Sequence, residues 1–276
     1  MIYLMIFAFG IVVGSFLNVC IYRVPRERSI VTPRSACPGC GQPIAFYDNI
    51  PILSFLILRG RCRRCSTAIS WQYPVVEALN GLLWVAAYLG WALTPSALLY
   101  AAFGSAMLVL VFIDAQHRIL PHGITVGGWI VGLATAPWQA IHQYEAPNVG
   151  RLLGLLGVMT ADERILAWIG SLVGSLLGAG MLLVVAVGYY LVRREEGMGH
   201  GDIILMGLVG AVLGWGRTLL TVFLGSLLGA VVGLVLIRWA GGDRKYEIPF
   251  GTFLGIAAVS ALFFGEILLD WYWSLL

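Results

Sequence analysis

Long apolar segments recur along the whole sequence, and they constrain the fold more than any other feature. An α-helix needs about 20 predominantly apolar residues to cross the hydrocarbon core of a bilayer. Segments that reach or approach this length lie at 2–22, 75–93, 96–113, 123–141, 165–192, 203–215, 218–237 and 249–273. The pattern predicts an all-α, polytopic membrane protein with about eight transmembrane helices.

The composition supports this class and excludes several others. Apolar residues make up 59% of the chain and charged residues 11%, whereas a soluble domain carries about 25% charged residues. So little charge could not cover the surface of a soluble fold, and such strong apolarity excludes intrinsic disorder. The first segment has no basic residues before its apolar core and no small-x-small cleavage site, so we expect it to be retained as a helix.

The basic residues predict how the chain is oriented in the membrane, because cytoplasmic loops are enriched in lysine and arginine. If the N-terminus is outside, the inside loops 23–74, 114–122, 193–202 and 238–248 hold 14 of the 17 basic residues. The outside loops, which include 142–164, hold only three. The long first loop is therefore predicted to be cytoplasmic, and both termini outside. The basic charge is then a topology signal, so we expect contacts with membrane lipid and none with nucleic acid.

Four of the five cysteines form two C-x-x-C pairs in this loop, Cys37-Pro-Gly-Cys40 and Cys62-Arg-Arg-Cys65. Two such pairs can place four thiolates tetrahedrally around one zinc ion. The alternative is two disulfides, which a reducing cytoplasmic compartment disfavours. A closed shell of four sulfurs leaves no position for a catalytic water. The spacing therefore predicts a structural zinc that folds a small loop domain.

Two acidic residues stand at the predicted cytoplasmic edge of the membrane. Asp114 ends the third apolar segment, and Asp202 begins the sixth after Gly199-His200-Gly201. Ionisable groups within membrane segments are costly and mark functional sites. Two carboxylates at one depth can share a proton and divide the roles of acid and base, as in aspartic proteases. We therefore expect a catalytic pair, although each residue taken alone could simply cap or end its helix.

Glycines recur every four residues in the later apolar segments. They form the runs Gly170, Gly174 and Gly178, Gly210 and Gly214, and Gly225, Gly229 and Gly233. Small residues at this spacing let membrane helices approach closely. The runs predict tight packing between helices of this chain.

The motifs follow one another in an order that is typical of a known family. They are Gly14-Ser15-Phe16-Leu17-Asn18-Val19-Cys20-Ile21-Tyr22-Arg23-Val24-Pro25, the four-cysteine loop with Asn49-Ile50-Pro51-Ile52-Leu53-Ser54, Tyr73-Pro74-Val75-Val76-Glu77, the Asp114 segment, Gly199-His200-Gly201-Asp202 and Pro249-Phe250-Gly251. In these motifs the chain resembles the bacterial prepilin peptidases, also called type IV leader peptidases. They are aspartic intramembrane proteases of the GxGD type.

The resemblance implies an activity, its substrates and its location. Family members remove short basic leaders from type IV prepilins and type II secretion pseudopilins at the cytoplasmic face of the bacterial inner membrane. Typical bacterial members then methylate the new N-terminus with S-adenosylmethionine, an activity linked to the cytoplasmic loop. The resemblance thus implies a bifunctional enzyme with zinc and S-adenosylmethionine as cofactors.

The resemblance also implies the roles of individual residues. Asp114 and Asp202 match the two catalytic aspartates. The matching zinc ligands are Cys37, Cys40, Cys62 and Cys65. Asn18, Arg23 and Glu77 flank the loop, and we expect them to hold the methyl donor or the amine that it methylates. The expected parts are a first transmembrane helix (1–22), the methyltransferase-linked zinc loop (23–74) and a transmembrane peptidase domain (75–276).

The chain departs from the family pattern at two positions. Ile204 stands where lysine is common, and His122 stands where aspartate is common. Neither change touches the two carboxylates, so they bear on substrate range more than on the type of reaction. Two other interpretations of the sequence stay open. One is a membrane transporter with a zinc-ribbon regulatory loop, and the other is a non-enzymatic assembly factor of a secretion machine.

Overall fold

The computed structural model describes residues 1–155, 162–195, 197–239 and 249–275. Over these ranges the chain is almost entirely helical and contains no β-strand, which confirms the predicted all-α class. The helices are α1 (Ile2–Arg23), α2 (Leu53–Ile57), α3 (Gln72–Trp91), α4 (Pro95–His117), α5 (His122–Thr135), α6 (Ala140–Leu155), α7 (Glu163–Arg193), α8 (His200–Trp239) and α9 (Phe250–Trp273). Most of the predicted loop 238–248 lies outside the described residues.

Eight transmembrane helices are not confirmed. By length and composition, five helices of the described chain could cross a membrane, namely α1, α4, α7, α8 and α9. Helices α5 and α6, which meet at a bend of 71°, would make a sixth if the pair is one span. The predicted segments 203–215 and 218–237 both belong to α8. Helix α3 is not among the candidates, because Glu77 and Asn80 make it less apolar.

The chain divides into two compact units, Met1–Leu93 and Thr94–Leu276. In the first unit α1 packs closely against α3. A β-carbon at Gly14 would lie 2.8 Å from the Cα of Glu77, so only glycine permits this approach. The Nδ2 of Asn80 on α3 donates a hydrogen bond to the Gly10 carbonyl on α1 at 2.7 Å. Buried side-chain amides therefore join the two helices.

In the second unit, glycines let the backbones of α7 and α8 approach closely where the two helices cross. A β-carbon at Gly174 would lie 2.5 Å from the Gly210 carbonyl oxygen, and one at Gly210 would overlap the backbone of Gly174. A β-carbon at Gly178 would overlap the Met206 carbonyl. The close helix approach predicted from the first two glycine runs is confirmed.

Helix α8 is interrupted at Gly214, whose φ of 72° and ψ of −179° are available essentially only to glycine. The break releases backbone groups that side chains from other helices bind. The Ala211 carbonyl accepts a hydrogen bond from the Ser171 hydroxyl at 2.8 Å and lies 2.8 Å from the Nε2 of His142. The Glu145 carboxylate lies against the Cα of Gly214, where a β-carbon would collide with it. Hydrogen bonds from other helices thus satisfy a backbone carbonyl near the interruption, as buried backbone requires.

The predicted outside loop 142–164 is wrong for much of its length, because α6 runs through Leu155. The segment has little apolar periodicity and contains Pro147, so its sequence resembles a loop. Its polar residues His142 and Glu145 nevertheless point inward and are buried. Helix α6 places both groups beside the interrupted part of α8.

Candidate active site and metal centre

Both predicted catalytic aspartates are buried within the unit Thr94–Leu276. Asp114 lies in the last turn of α4 and is 5% exposed, and Asp202 lies in the first turn of α8 and is 9% exposed. Buried carboxylates are rare unless hydrogen bonds or nearby charges compensate their desolvation. The surroundings of the two groups therefore decide what they can do.

The two carboxylates lie close to each other beside Gly251, near the start of α9. A β-carbon at this glycine would lie 3.0 Å from the Oδ2 of Asp114 and 3.0 Å from the Oδ1 of Asp202. The two oxygens are therefore no farther apart than twice that distance, and the carboxylates interact electrostatically. The structure thus brings together the two residues that the sequence singles out, and glycine leaves space between them.

Thr252 fixes the orientation of Asp114. Its backbone N–H donates to the Asp114 Oδ2 at 2.6 Å, and its hydroxyl lies 2.9 Å from the same oxygen. This N–H belongs to the first turn of α9, where backbone donors have no partner inside the helix and the dipole favours an anion. Thr252 is not predicted from the sequence. Its one signal is its place directly after Pro249-Phe250-Gly251.

Leu120 closes the site on one side. Its Cδ1 lies 3.0 Å from the position of a β-carbon at Gly251, and its Cβ lies 3.0 Å from that of a β-carbon at Gly201. Glycines at both positions therefore keep side chains out of the space beside the aspartates. A paired acid and base can activate water against a carbonyl group.

The four loop cysteines form a compact cluster. All four sulfur atoms lie within 4.8 Å of one another, and the sulfurs of Cys37 and Cys65 are 3.7 Å apart. With a Zn–S distance of about 2.3 Å, the edge of a ZnS₄ tetrahedron is about 3.8 Å. All five cysteines of the chain are free thiols, so the alternative of two disulfides is not realised. The cluster could hold zinc, and the described residues contain no second group of three potential ligands.

Two turns of the same geometry supply the cysteines. In the first, the Gly41 N–H donates to the Cys37 carbonyl at 2.8 Å, and in the second the Ser66 N–H donates to the Cys62 carbonyl at 2.9 Å. The residue after each pair has a positive φ, 68° at Gly41 and 59° at Ser66. Each turn points its two sulfurs in one direction, which is what a shared metal requires.

The environment of the second cysteine pair favours thiolates, the form that binds metal. Hydrogen bonds from the Thr67 hydroxyl and backbone lower the pKa of the Cys65 thiol to about 6. Backbone hydrogen bonds from Cys65 and Arg64 also lower the pKa of the Cys62 thiol. These donors act before any metal is bound, so the second turn is prepared for a cation. In the first pair, a backbone hydrogen bond from Gln42 lowers the pKa of the Cys40 thiol, but desolvation and the neighbouring Cys65 and Cys37 side chains outweigh it and raise that pKa to about 11.

The three residues predicted to hold the methyl donor or the amine all lie in the unit Met1–Leu93. Asn18, Arg23 and Glu77 are buried and line one cavity of about 990 Å³ between α1, α3 and the loop. This volume is within the range of sites that bind drug-sized ligands. The structure therefore brings these three residues together around a space that could hold a small molecule.

Two of the three residues bind the loop itself. The Arg23 guanidinium donates to the Ser29 carbonyl at 2.8 Å and to the Pro33 carbonyl at 2.7 Å. The Glu77 Oε2 accepts a hydrogen bond from the Ile52 N–H at 2.7 Å. These charged groups hold the start and the middle of the loop against the helices and so shape the cavity.

Two family models match the chain. The model of the bacterial peptidase A24 N-terminal domain matches residues 8–91, and the model of the type IV leader peptidase family matches residues 101–234. The two matches fall within the two compact units. No solved structure matches the chain.

Curated relatives cover most of the chain, and each is named prepilin leader peptidase/N-methyltransferase. The Myxococcus xanthus protein is 38% identical over 86% of this chain, a match that spans 63% of the relative. The Aeromonas salmonicida protein is 33% identical over 98% of this chain and 93% of its own length. The Legionella pneumophila protein is 32% identical over 98% of this chain and 94% of its own length.

Proposed function

The chain belongs to the type IV leader peptidase family, and from that membership we propose that it is a membrane aspartic endopeptidase. Its substrates are type IV prepilins and type II secretion pseudopilins, from which it removes the leader peptide. The observation that carries the proposal is the meeting of Asp114 and Asp202 above Gly251. Relatives named as peptidases favour this function over a transporter or a non-enzymatic assembly factor.

The proposed reaction uses one aspartate as base and the other as acid. The ionised carboxylate takes a proton from a water molecule, whose oxygen attacks the scissile carbonyl carbon. The protonated carboxyl donates a hydrogen bond to the carbonyl oxygen and stabilises its developing charge. A proton then passes to the leaving amine as the C–N bond breaks. Glycine at 201 and 251 lets Leu120 pack closely beside the pair.

We place the aspartates and the cysteine loop at the cytoplasmic side of the bacterial inner membrane. The support is the distribution of charge, since 14 of the 17 basic residues fall in the segments that this orientation makes cytoplasmic. A leader that is itself basic would stay on that side, so its cleavage site would be presented at the same level as the carboxylates.

The cysteine cluster fits a structural zinc ion. The fit rests on four thiol sulfurs within 4.8 Å of one another in two matching turns. Zinc would cross-link residues that the short α2 and its turns cannot hold together by packing alone. We assign Cys37, Cys40, Cys62 and Cys65 to this ion and give it no part in the chemistry.

We further propose that the unit Met1–Leu93 carries the N-methyltransferase activity named in the relatives. The support is the cavity lined by Asn18, Arg23 and Glu77, whose volume and mixed lining fit a nucleoside-sized molecule. S-adenosylmethionine would supply an activated methyl group there. The residues of this chain would bind the donor, hold the new N-terminus beside it and exclude water.

Co-expression with a prepilin tests both activities in one measurement. Mass spectrometry of the pilin N-terminus should show leader removal and a mass increase of one methyl group. Asp114→Asn and Asp202→Asn should each leave the leader in place, whereas Asp270→Asn, which changes an exposed acid near the end of α9, should process normally. Leader removal that survives both aspartate changes would refute the proposed peptidase.

A further inference from the structure

The short helix α2 of the cysteine loop has two faces of different character. Ser54 and Phe55 are buried, and both line the cavity between α1, α3 and the loop. The other face carries Leu53, Leu56 and Ile57, which are 50%, 61% and 66% exposed. Residues three and four apart lie on one side of a helix, so these three form a continuous apolar face. Contiguous exposed apolar surface marks a site of contact with a membrane or another chain.

An exposed tryptophan lies beside the same helix. The ring centroid of Trp71 is 4.8 Å from that of Phe55 on α2, yet Trp71 is 70% exposed. Trp71 directly precedes α3. Tryptophan is enriched where membrane helices meet the membrane–water interface, because its ring is apolar and its N–H is polar. Its position therefore favours a lipid surface next to α2.

The level of α2 along α1 shows where the apolar face lies. The backbone N–H of Ile52, the residue directly before α2, donates to the Glu77 Oε2 at 2.7 Å. The Glu77 backbone lies against Gly14 on α1, nine residues before that helix ends at Arg23. Nine helical residues span about 13.5 Å, which exceeds the reach of a glutamate side chain and one hydrogen bond. Helix α2 therefore begins beside the body of α1 and not beyond its end.

This level lies within the membrane, because α1 is long and apolar enough to span it. Irregular backbone at membrane depth needs its polar groups bonded inside the protein. The Ile50 N–H donates to the Ser54 Oγ at 3.0 Å, and the Ile52 N–H donates to the buried Glu77 carboxylate. The Ser54 N–H donates to the Ile50 carbonyl at 3.0 Å. The segment that leads into α2 therefore meets a requirement for entering the membrane.

Basic residues follow α2 directly. Arg59 and Arg61 are both exposed, and long basic side chains beside an apolar membrane surface reach the lipid phosphates. We propose that α2 re-enters the cytoplasmic leaflet of the membrane. The apolar face of Leu53, Leu56 and Ile57 contacts lipid acyl chains there, and the two arginines bind the phosphates of anionic lipids. The loop is thus attached to the membrane at its middle as well as at its two ends.

Photo-cross-linking in vesicles tests the contact directly. The amino acid p-benzoylphenylalanine, which bonds to nearby C–H groups on illumination, replaces Leu56 in one full-length variant and Ile57 in another. Both residues are exposed, and either variant serves if the other fails to fold. In vesicles of phosphatidylethanolamine and phosphatidylglycerol, mass spectrometry of the loop peptide should find phospholipid adducts as the main product. Cross-links to a co-expressed prepilin or to a second copy of the chain, in place of lipid, would overturn the proposal.

The matched control carries the same probe at Val31, an apolar loop residue that is 80% exposed. Val31 lies between Ser29 and Pro33, whose carbonyls bind the guanidinium of Arg23 at the end of α1. It therefore lies near the end of that helix and not beside its body. The yield of phospholipid adducts at Val31 should be several-fold lower than at Leu56 and Ile57. Yields at those two positions that are no higher than at Val31 would overturn the proposal.

The lipid composition of the adducts tests the arginine contacts. In vesicles with equal amounts of the two lipids, phosphatidylglycerol should exceed phosphatidylethanolamine among the adducts at Ile57 by about fivefold, the contribution of one arginine at an anionic surface. The double change Arg59→Gln and Arg61→Gln should return the ratio to about one, while adducts continue to form. A ratio of one with both arginines present would overturn the phosphate contacts.

Discussion

The aspartate pair and the cysteine cluster are positioned by opposite means. Asp114 and Asp202 lie at the ends of long helices, and the first turn of α9 holds the Asp114 carboxylate. The cysteines lie on two tight turns in a loop with few buried apolar side chains, among them Phe55. The helices therefore hold the aspartates in place without a ligand. We expect the loop to depend on a bound ion for its shape, because it has few buried apolar side chains of its own.

Because the two centres are held in different ways, damage to one should leave the other intact. Loss of metal should disorder the loop and leave the helix ends that present the carboxylates. Small changes beside the carboxylates should lower cleavage and leave metal content unchanged.

The largest expected effect is on the cysteine loop. The double change Cys62→Ser and Cys65→Ser removes half of the ligands, so bound zinc should fall from one ion per chain to nearly none. N-methylation should be lost while leader cleavage persists. Elemental analysis of the purified protein and mass spectrometry of a co-expressed pilin measure the two outcomes. If the purified wild-type protein contains no zinc, the metal assignment is wrong.

The next effect is at the glycine beneath the aspartates. Gly251→Val places side-chain carbon atoms within contact of both carboxylates and of Leu120. Cleavage should fall about 100-fold or more, because misplacement by about 1 Å costs that much in catalysis. Zinc content should equal that of wild type. Initial rates of prepilin cleavage in detergent measure the loss, and wild-type rates would show that this space is not used.

A smaller effect is expected at Thr252. Thr252→Val removes the hydroxyl that lies 2.9 Å from the Asp114 Oδ2 but keeps the backbone N–H that donates to it. One lost hydrogen bond to a charged group is worth about 1.5–3 kcal/mol, so cleavage should slow about tenfold to 100-fold. Thr252→Ser keeps the hydroxyl and should restore most of the rate. If the serine variant is as slow as the valine variant, the hydroxyl does not act through Asp114.

The smallest effect concerns the ion pair inside the loop. The Arg63 guanidinium donates to both carboxylate oxygens of Asp48 at 2.7 to 3.0 Å and lowers the pKa of that carboxyl. A lowered folded-state pKa means that the pair stabilises the loop above the ordinary pKa of about 4 and is lost as the pH falls below it. Loop cleavage by a protease active in acid should quicken as the pH falls from 5 to 3. In Asp48→Asn this ion pair is absent, so its contribution to the pH dependence of loop cleavage should be lost.

The residues that carry charge or sulfur are the ones that the sequence predicts well. Asp114, Asp202 and the cysteines stand out because such groups are costly in apolar surroundings or occur in a metal-binding spacing. Thr252 could not be found this way, since a threonine near a helix start is ordinary. Its partner is 138 residues away in the sequence.

The same limit explains the errors in the fold. Hydropathy does not detect α6, because His142 and Glu145 make its sequence polar, although both are buried beside the interrupted part of α8. Hydropathy counts apolar segments but does not show which of them join end to end. The segments 203–215 and 218–237 are continuous in α8, but the non-helical Gly214 divides that helix close to the predicted boundary between them.

The most direct test of the central claim is the rate of leader cleavage in the double variant Asp114→Asn and Asp202→Asn, compared with both single variants. Residues that act as one catalytic unit lose activity non-additively. Each single change should therefore abolish nearly all cleavage, and the double change should cost no more than the worse single change. Cleavage that continues in the double variant, or independent and multiplying losses, would contradict a paired aspartate site.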